Sequence, residues 1–181
     1  VSSWIKNLYK NIGIDMDNSR VILSGSNQEI FNNQNKNIWD KKTPLKLVTH
    51  HWGNNWNKGF DIYEQIDQLI DKKFSGYNIQ FTYIGKLPEN FEFQNTKHIK
   101  PISGEELAKE IKKSHIYVTG SINEPSGNHH IEGAQCGLPL LYINSGGIPE
   151  YCRGFGVMFD KENFTTKLEE IINNYEMYAS K

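Results

Sequence analysis

The sequence has no long apolar run, few cysteines and no dominant charge, and each absence excludes a class of protein. No stretch approaches the roughly 18 apolar residues that suggest a membrane-spanning helix. The 20 Lys and Arg residues nearly balance the 21 Asp and Glu residues, which argues against a dedicated nucleic-acid surface. Because the two cysteines, Cys136 and Cys152, form no disulfide framework, we expect a reduced, cytoplasmic compartment.

Several motifs that carry chemistry are also missing. The chain contains no H-x3-H or C-x2-C spacing, so we expect no metal site. It has neither the G-x-G-x-x-G motif of dinucleotide-binding enzymes nor a Walker A sequence. No arginine occurs between Arg20 and Arg153, which limits the cations available to an anionic ligand.

The most informative segment covers residues 124–139. Two carboxylates, Glu124 and Glu132, stand eight residues apart across a Gly-containing turn that predicts a helix start. The segments Ser114–Thr119 and Leu138–Ile143 on either side are typical of short buried strands. The sequence therefore predicts a βαβ unit, which normally binds ligands at the carboxyl ends of its strands.

The chemistry of this turn indicates a ligand with two kinds of group. If the helix begins near Asn128, its first amides have no partner within the helix and suit a phosphate. A carboxylate at Glu132 has the wrong charge for phosphate but accepts hydrogen bonds from sugar hydroxyls. Together these features predict a ligand such as a nucleotide-sugar.

Strand and helix patterns alternate along the rest of the chain. Helices are predicted over residues 1–12, from Asp61 to about Lys73, from a Ser103–Glu106 capping box through Lys113, and over Lys161–Tyr178. Further strands are predicted at Val21–Leu23, Leu45–Thr49, Ile79–Ile84 and Gly156–Phe159, with a loop over His50–Asn57. This alternation predicts an α/β fold with a doubly wound, mostly parallel sheet.

The carboxylate pair and the residues after it resemble a known family. The E-x7-E spacing of Glu124 and Glu132 is followed by a Gly-Ala-x-x-Gly-x-Pro pattern over Gly133–Pro139 and by Gly146–Glu150. This arrangement is similar to the carboxyl-terminal donor-binding half of retaining GT-B glycosyltransferases, in the large family 4 (group 1). The resemblance implies a Rossmann-like domain.

The resemblance extends over nearly the whole chain. Ile22–Phe31 is similar to the interdomain stretch of these enzymes, and Lys58–Asp61 resembles their Lys-Gly motif after the first strand. It implies an interdomain-type helix, strand and connection over residues 1–43 and a nucleotide-sugar-binding domain over residues 44–181, within one compact unit. The resemblance also implies a second Rossmann-like domain upstream, and since the sequence starts at Val1 rather than Met we expect it to be the carboxyl-terminal half of a longer protein.

The resemblance implies roles for individual residues. Glu132 would bind the ribose diol, Glu124 the hydroxyls of the donor sugar, and Lys58 the leaving diphosphate. The remaining binding residues would lie around the diphosphate and sugar; they are Ser126, Gly127, Asn128, His129, Gly146 and Gly147.

Two departures from the family pattern concern the sugar and the diphosphate. Pro125 and Ser126 replace a Gly-aromatic pair, so the sequence does not identify the sugar. The family's arginine before Lys58 is missing, and His51 is our candidate to replace it, with His50, Asn54 and Asn55 as alternatives.

The implied activity is transfer of a hexose from a nucleoside diphosphate sugar to an acceptor hydroxyl, without metal or cofactor. The acceptor, a glycan or a lipid-linked molecule, is not specified by the sequence, and a lipid-linked one would imply peripheral membrane contact of the longer protein. Two alternatives remain open: a non-catalytic nucleotide-binding module, and another GT-B enzyme such as a nucleotide-sugar epimerase. The Glu124 to Glu132 spacing favours the transferase.

Overall fold

Six short strands form a parallel sheet at the centre of the molecule. The computed structural model describes residues 1–70 and 72–181. The strands are β1 Leu45–His51, β2 Ile79–Gly85, β3 Lys97–Ile99, β4 Ile116–Thr119, β5 Leu140–Ile143 and β6 Gly156–Phe159. Their order is β3-β2-β1-β4-β5-β6, and every neighbouring pair is parallel. The order reverses between β1 and β4, where open α/β sheets form a crevice at the carboxyl ends of their strands.

Helices connect and flank these strands. They are α1 Ser3–Asn11, α2 Phe60–Leu69, α3 Gly104–Ile111, α4 Asn128–Gln135, α5 Ile148–Cys152, α6 Phe164–Asn173 and α7 Tyr175–Ala179. The predicted α/β, Rossmann-like, doubly wound fold is confirmed, and the sheet predicted to be mostly parallel has only parallel pairs among the described strands.

The central strands of the sheet are buried on both faces. Every residue of β4 and of β5 is buried, as a parallel sheet between two helical layers requires. From α2, Ile62, Tyr63 and Ile66 are fully buried in the same core. The free cysteines Cys136 and Cys152 are buried as well.

The amino-terminal segment is attached to the sheet domain at both of its ends. The Ser3 backbone N–H and hydroxyl donate to the Glu150 carboxylate at 2.6 and 2.9 Å. Further along, the Trp39 side chain is 3% exposed and belongs to the core. The division into residues 1–43 and 44–181 stays a prediction.

The predicted strand Val21–Leu23 is wrong. This segment pairs with no strand in the described chain, and two of its three apolar side chains are exposed, Ile22 by 78% and Leu23 by 48%. Three apolar residues suggested burial, but a strand also needs a neighbour that completes its backbone hydrogen bonds. In contrast, the helix predicted over residues 1–12 is confirmed as α1.

Strand β1 is longer than predicted. It continues past Thr49 because His50 pairs with Ile84 and His51 with Gly85 in the register with β2. The two histidines, predicted to open a loop, therefore occupy the carboxyl end of a buried strand.

Several element ends also differ from the predictions. Ser103 makes no side-chain hydrogen bond at the start of α3, so the predicted capping box is wrong. The predicted final helix is divided into α6 and α7 at Asn174, whose φ of −106° and ψ of 20° depart from helical values. Helix α2 ends at Leu69, and its predicted extension towards Lys73 includes Asp71, which lies outside the described residues.

The two strands beside the central turn start later than predicted. Strand β4 begins at Ile116 and β5 at Leu140, each two residues into the predicted range. Among the described residues, no helix is long and apolar enough to cross a membrane.

Helix α4 lies unusually close to β4 because Gly133 has no side chain. A Cβ atom at Gly133 would overlap Cγ and Cδ2 of the buried Tyr117 ring. This turn of α4 therefore packs directly against the Tyr117 ring.

Replacement of Gly133 by alanine should therefore destabilise the fold. Alanine favours helices by about 1 kcal/mol over glycine, but overpacking of a rigid core costs about 1–3 kcal/mol. We expect the free energy of unfolding in urea to fall for Gly133→Ala. Gly25→Ala is the matched control, because a Cβ there has no heavy atom within 4 Å. A Gly133→Ala protein as stable as the wild type would contradict the close contact.

His130 is a buried histidine without a partner. The residue is only 1% exposed, and neither ring nitrogen has a hydrogen-bond partner among the described residues. Burial, with a smaller repulsion from His50, lowers the pKa of His130 from 6.5 to about 4. Unfolding exposes the ring and lets it take up a proton between these two pH values, so His130 destabilises the fold as the pH falls through this window.

The variant His130→Leu should be more stable than the wild type, and the difference should grow in acid. Removing an unsatisfied buried group contributes about 1 kcal/mol at pH 7.5, and loss of the proton uptake adds about 2 kcal/mol at pH 5. Urea unfolding at both pH values measures this, with His98→Leu on the exposed edge strand as control. An equal difference at both pH values would contradict a lowered His130 pKa.

Candidate functional site

A cavity of about 280 Å³ opens where the carboxyl ends of β1 and β4 meet the start of α4. It is lined by His50, His51, Trp52, Gly53, Lys58, Glu124, Gly127, Asn128, His129 and Glu132. This is the position at which the reversal of strand order predicts a ligand. Most of the residues implied by the family resemblance therefore share one cavity.

The start of α4 borders the cavity through Gly127, Asn128 and His129. Gly127 precedes the helix with a φ of 73°, and no side chain among the described residues caps the helix start. A Cβ atom at Gly127 would lie 2.8 Å from Glu124 Cγ and from His129 Cε1. Both the backbone angle and the space thus require glycine, which leaves the following N–H groups accessible to an anion.

Glu132 lies one turn into α4 and is held by a histidine from β1. His50 Nε2 is 2.7 Å from Glu132 Oε2, and these side chains are only 5% and 18% exposed. The Tyr117 hydroxyl lies 3.0 Å from His50 Nδ1 and accepts a hydrogen bond from the His50 backbone N–H at 3.2 Å. A chain of polar contacts therefore runs from the core of the sheet to the carboxylate.

Glu124 and Lys58 form an ion pair across the cavity. Lys58 Nζ donates to Glu124 Oε2 at 2.7 Å, and the two side chains are 25% and 16% exposed. Lys58 ends the 3-10 turn Trp56–Lys58 after β1 and reaches over Gly53. An anionic ligand would find the lysine already beside a carboxylate.

The second histidine of β1, His51, lines the cavity as a neutral ring. Burial holds the pKa of His51 well below 6.5, and repulsion from His50, Lys58 and His130 adds to the effect. His51 Nε2 lies 2.6 Å from the Tyr63 hydroxyl, which keeps the ring inside the core. A neutral His51 can make a hydrogen bond in the cavity but brings no positive charge to it, and its role in place of the arginine stays a prediction.

His129 is also neutral and faces the core. Burial, reinforced by repulsion from His51, His130, His50 and Lys58, holds its pKa well below 6.5. Its Nε2 atom lies 2.8 Å from the Thr119 hydroxyl. The backbone of His129, rather than its ring, is therefore the part available to a ligand.

Three predicted binding residues, Ser126, Gly146 and Gly147, do not line the described cavity but contact the segments that form it. The Ser126 hydroxyl donates to the Ser24 hydroxyl at 3.3 Å and does not line the described cavity. The Gly147 N–H donates to the Glu124 carbonyl at 2.8 Å, and a Cβ atom at Gly146 would overlap that carbonyl. Gly146 and Gly147 thus hold the loop that carries Glu124, and the Gly147 amide is already engaged.

Sequence reasoning missed Tyr117 and named His50 only as an alternative to the absent arginine. Tyr117 looks like an ordinary core residue of a buried strand, and its contact with His50 joins residues 67 positions apart. The sequence does contain these residue types, because two histidines follow one predicted strand and a tyrosine lies within another. Only the strand order brings them together.

The described part of the chain contains no cluster of three or more His, Cys, Asp or Glu side chains suited to a metal ion. A second cavity, of about 330 Å³, lies against His130, Ile131 and Ala134 of α4 and is lined also by Tyr151 and Tyr178. None of the residues assigned to ligand binding lines this second cavity.

Solved structures share this fold. A glycosyltransferase from Rickettsia africae ESF-5 matches with a TM-score of 0.69 and 20% identity, over 98% of this chain and 52% of its own. The apo form of the lipopolysaccharide outer core galactosyltransferase WaaB matches with a TM-score of 0.74 and 14% identity, over 99% of this chain and 55% of its own. The chain thus spans about half the length of these two structures.

A shorter structure matches along most of both chains. The C-terminal domain of LpcC, a glycosyl transferase group 1 family protein from Francisella tularensis, matches with a TM-score of 0.63 and 17% identity. The match covers 86% of this chain and 91% of that one. No curated protein matches the sequence. At these identities the structural matches establish the fold alone.

The family assignment rests on the sequence. The profile of the family described as "Glycosyl transferases group 1" matches residues 56–180, which include Lys58, both carboxylates and the start of α4. The chain belongs to the group 1 glycosyl transferase family.

Proposed function

We propose that this chain is the carboxyl-terminal donor-binding domain of a retaining glycosyltransferase of family 4. The complete enzyme would transfer a hexose from a nucleoside diphosphate sugar to an acceptor hydroxyl. The observation that carries the proposal is the position of Glu124 and Glu132 on either side of the uncapped start of α4. Carboxylates that would accept hydrogen bonds from sugar hydroxyls, and amides that would bind phosphate, thereby belong to one cavity.

The amides at the start of α4 would bind the diphosphate. N–H groups in a first helical turn and the positive end of the helix dipole favour an anion there. Glu132, one turn further, would accept hydrogen bonds from the two ribose hydroxyls. Phosphate and ribose are adjacent in a nucleotide, as the amides and Glu132 are in α4.

Lys58 would stabilise the charge that develops during transfer. When the bond between the sugar and the diphosphate breaks, negative charge moves onto the diphosphate, and a nearby ammonium lowers the energy of that state. Among the residues described as lining the cavity, Lys58 is the only lysine or arginine, and His51 and His129 are neutral. Lys58 would therefore provide the positive charge beside the diphosphate. Glu124, paired with Lys58 at 2.7 Å, would bind sugar hydroxyls beside the reacting carbon. No metal or cofactor takes part in this scheme.

The acceptor and the other half of the enzyme are part of the same proposal. An amino-terminal GT-B domain would provide the acceptor site, for a glycan or a lipid-linked molecule, and nucleic acid would not be a partner. We place the enzyme in the cytoplasm, with peripheral membrane contact if the acceptor is a lipid. By itself the chain would bind the donor with little turnover.

A non-catalytic nucleotide-binding module is the second candidate. Its support is the absence of an arginine near Lys58 together with the neutral state of His51. Release of nucleoside diphosphate from a donor by the longer protein would distinguish the two, since a non-catalytic module releases none.

Replacement of Glu132 should weaken nucleotide binding. Calorimetric titration of the purified chain with UDP, GDP and ADP tests binding and identifies the base. Because a hydrogen-bonded charged contact contributes about 1.5–3 kcal/mol, Glu132→Ala should lose about 10- to 100-fold in affinity.

Glu105→Ala is the matched control, an acidic first-turn residue on α3 whose side chain is 78% exposed. It should bind as the wild type does. A folded chain that binds none of the three nucleotides, or a Glu132→Ala variant with unchanged affinity, would contradict the proposal.

A further inference from the structure

We propose that His50, fixed by Tyr117 as the tautomer with its proton on Nε2, is a positioning residue that holds Glu132 for the ribose hydroxyls of the nucleotide. This inference rests on the proposed function and adds to it the group that orients the ribose-binding carboxylate. The His50 Nε2–H would donate to Glu132 and not to the ligand.

The hydrogen bonds around Tyr117 favour one position for the His50 proton. The Tyr117 oxygen accepts the His50 backbone N–H at 3.2 Å, and in the arrangement that we propose its own hydrogen is donated to His50 Nδ1, 3.0 Å away. Full burial raises the pKa of Tyr117 well above 10, which keeps that hydrogen in place. Because Nδ1 accepts, the ring proton of a neutral His50 is on Nε2 and points at Glu132 Oε2, 2.7 Å away.

Burial makes this arrangement rigid. His50 is 4% exposed and Tyr117 is fully buried, and both belong to neighbouring strands, β1 and β4. The ring of Tyr117 also carries the α4 turn at Gly133, the residue next to Glu132. The same tyrosine therefore fixes both the backbone beside the carboxylate and the histidine that binds it.

A single ring N–H suits a carboxylate that must bind hydroxyls. It orients Glu132 Oε2 and leaves the other acceptor sites of the carboxylate for the two ribose hydroxyls. Hydrogen bonds from ribose hydroxyls to Glu132 then remain charge-assisted. Lys58, the nearby cation, is paired with Glu124 instead.

The preference for ribose over deoxyribose is the readout, because a purely structural role of His50 would not change it. UDP, GDP and ADP are titrated calorimetrically, each with its 2′-deoxy counterpart. The wild type should bind the ribonucleotide about 10-fold or more tightly, the effect of one charge-assisted hydrogen bond. His50→Leu should reduce this ratio to about 3-fold or less.

Two further variants keep the test decisive if His50→Leu folds poorly. His50→Gln retains an N–H donor near the Nε2 position and should keep most of the ratio. Tyr117→Phe removes the donor to Nδ1 and should give an intermediate ratio. The matched control is His115→Leu, at a buried histidine bonded to the Lys46 N–H at the other end of β1, which should leave the ratio unchanged.

The tautomer can be measured without any substitution. In ¹⁵N NMR spectra of the wild-type chain, His50 should show a protonated Nε2 and an unprotonated Nδ1. A proton on Nδ1 alone would overturn the inference.

The outcomes separate this inference from the proposed function. If the ratio is lost in Glu132→Ala but fully kept in His50→Leu, the His50 role is overturned and ribose binding by Glu132 stands. If the wild type binds none of the nucleotides, or Glu132→Ala keeps the ratio, both proposals are overturned.

Discussion

The close contact between Gly133 and Tyr117 is the constraint on which the site depends. Without a side chain at Gly133, α4 rests directly on the Tyr117 ring. This contact brings Glu132 within 2.7 Å of His50 and places the uncapped end of α4 at the carboxyl ends of β1 and β4. A single missing side chain in the core thereby sets the relative positions of the first-turn amides of α4 and the Glu132 carboxylate.

The electrostatics of the cavity are set by which groups stay neutral. Burial keeps His51 and His129 uncharged. The two carboxylates then differ in their partners, since Glu124 faces an ammonium and Glu132 faces an imidazole. An arriving diphosphate would compete with Glu124 for the lysine, while Glu132 would stay in place for the ribose. In the proposed complex the two halves of a nucleotide-sugar would therefore meet carboxylates with different partners.

Sequence patterns predicted the frame of this site but not its contacts. Strand and helix periodicity and the glycine turn placed the start of α4 at Asn128, because these signals are local. They failed at Val21–Leu23, where burial depends on a partner strand, and at His50, where pairing with β2 extends the strand. The contact between His50 and Glu132 joins residues 82 positions apart, so only the order of the strands reveals it. Likewise, the neutral state of His51 follows from its burial, which composition cannot show.

We propose that the diphosphate of a nucleotide binds the α4 amides and that its ribose binds Glu132. A crystal structure of the chain soaked with UDP, GDP or ADP tests this arrangement. We predict the diphosphate within hydrogen-bond distance of the backbone N–H groups at Asn128 and His129, and the ribose hydroxyls on Glu132. A nucleotide bound instead in the second cavity, against Tyr151 and Tyr178, would contradict this arrangement.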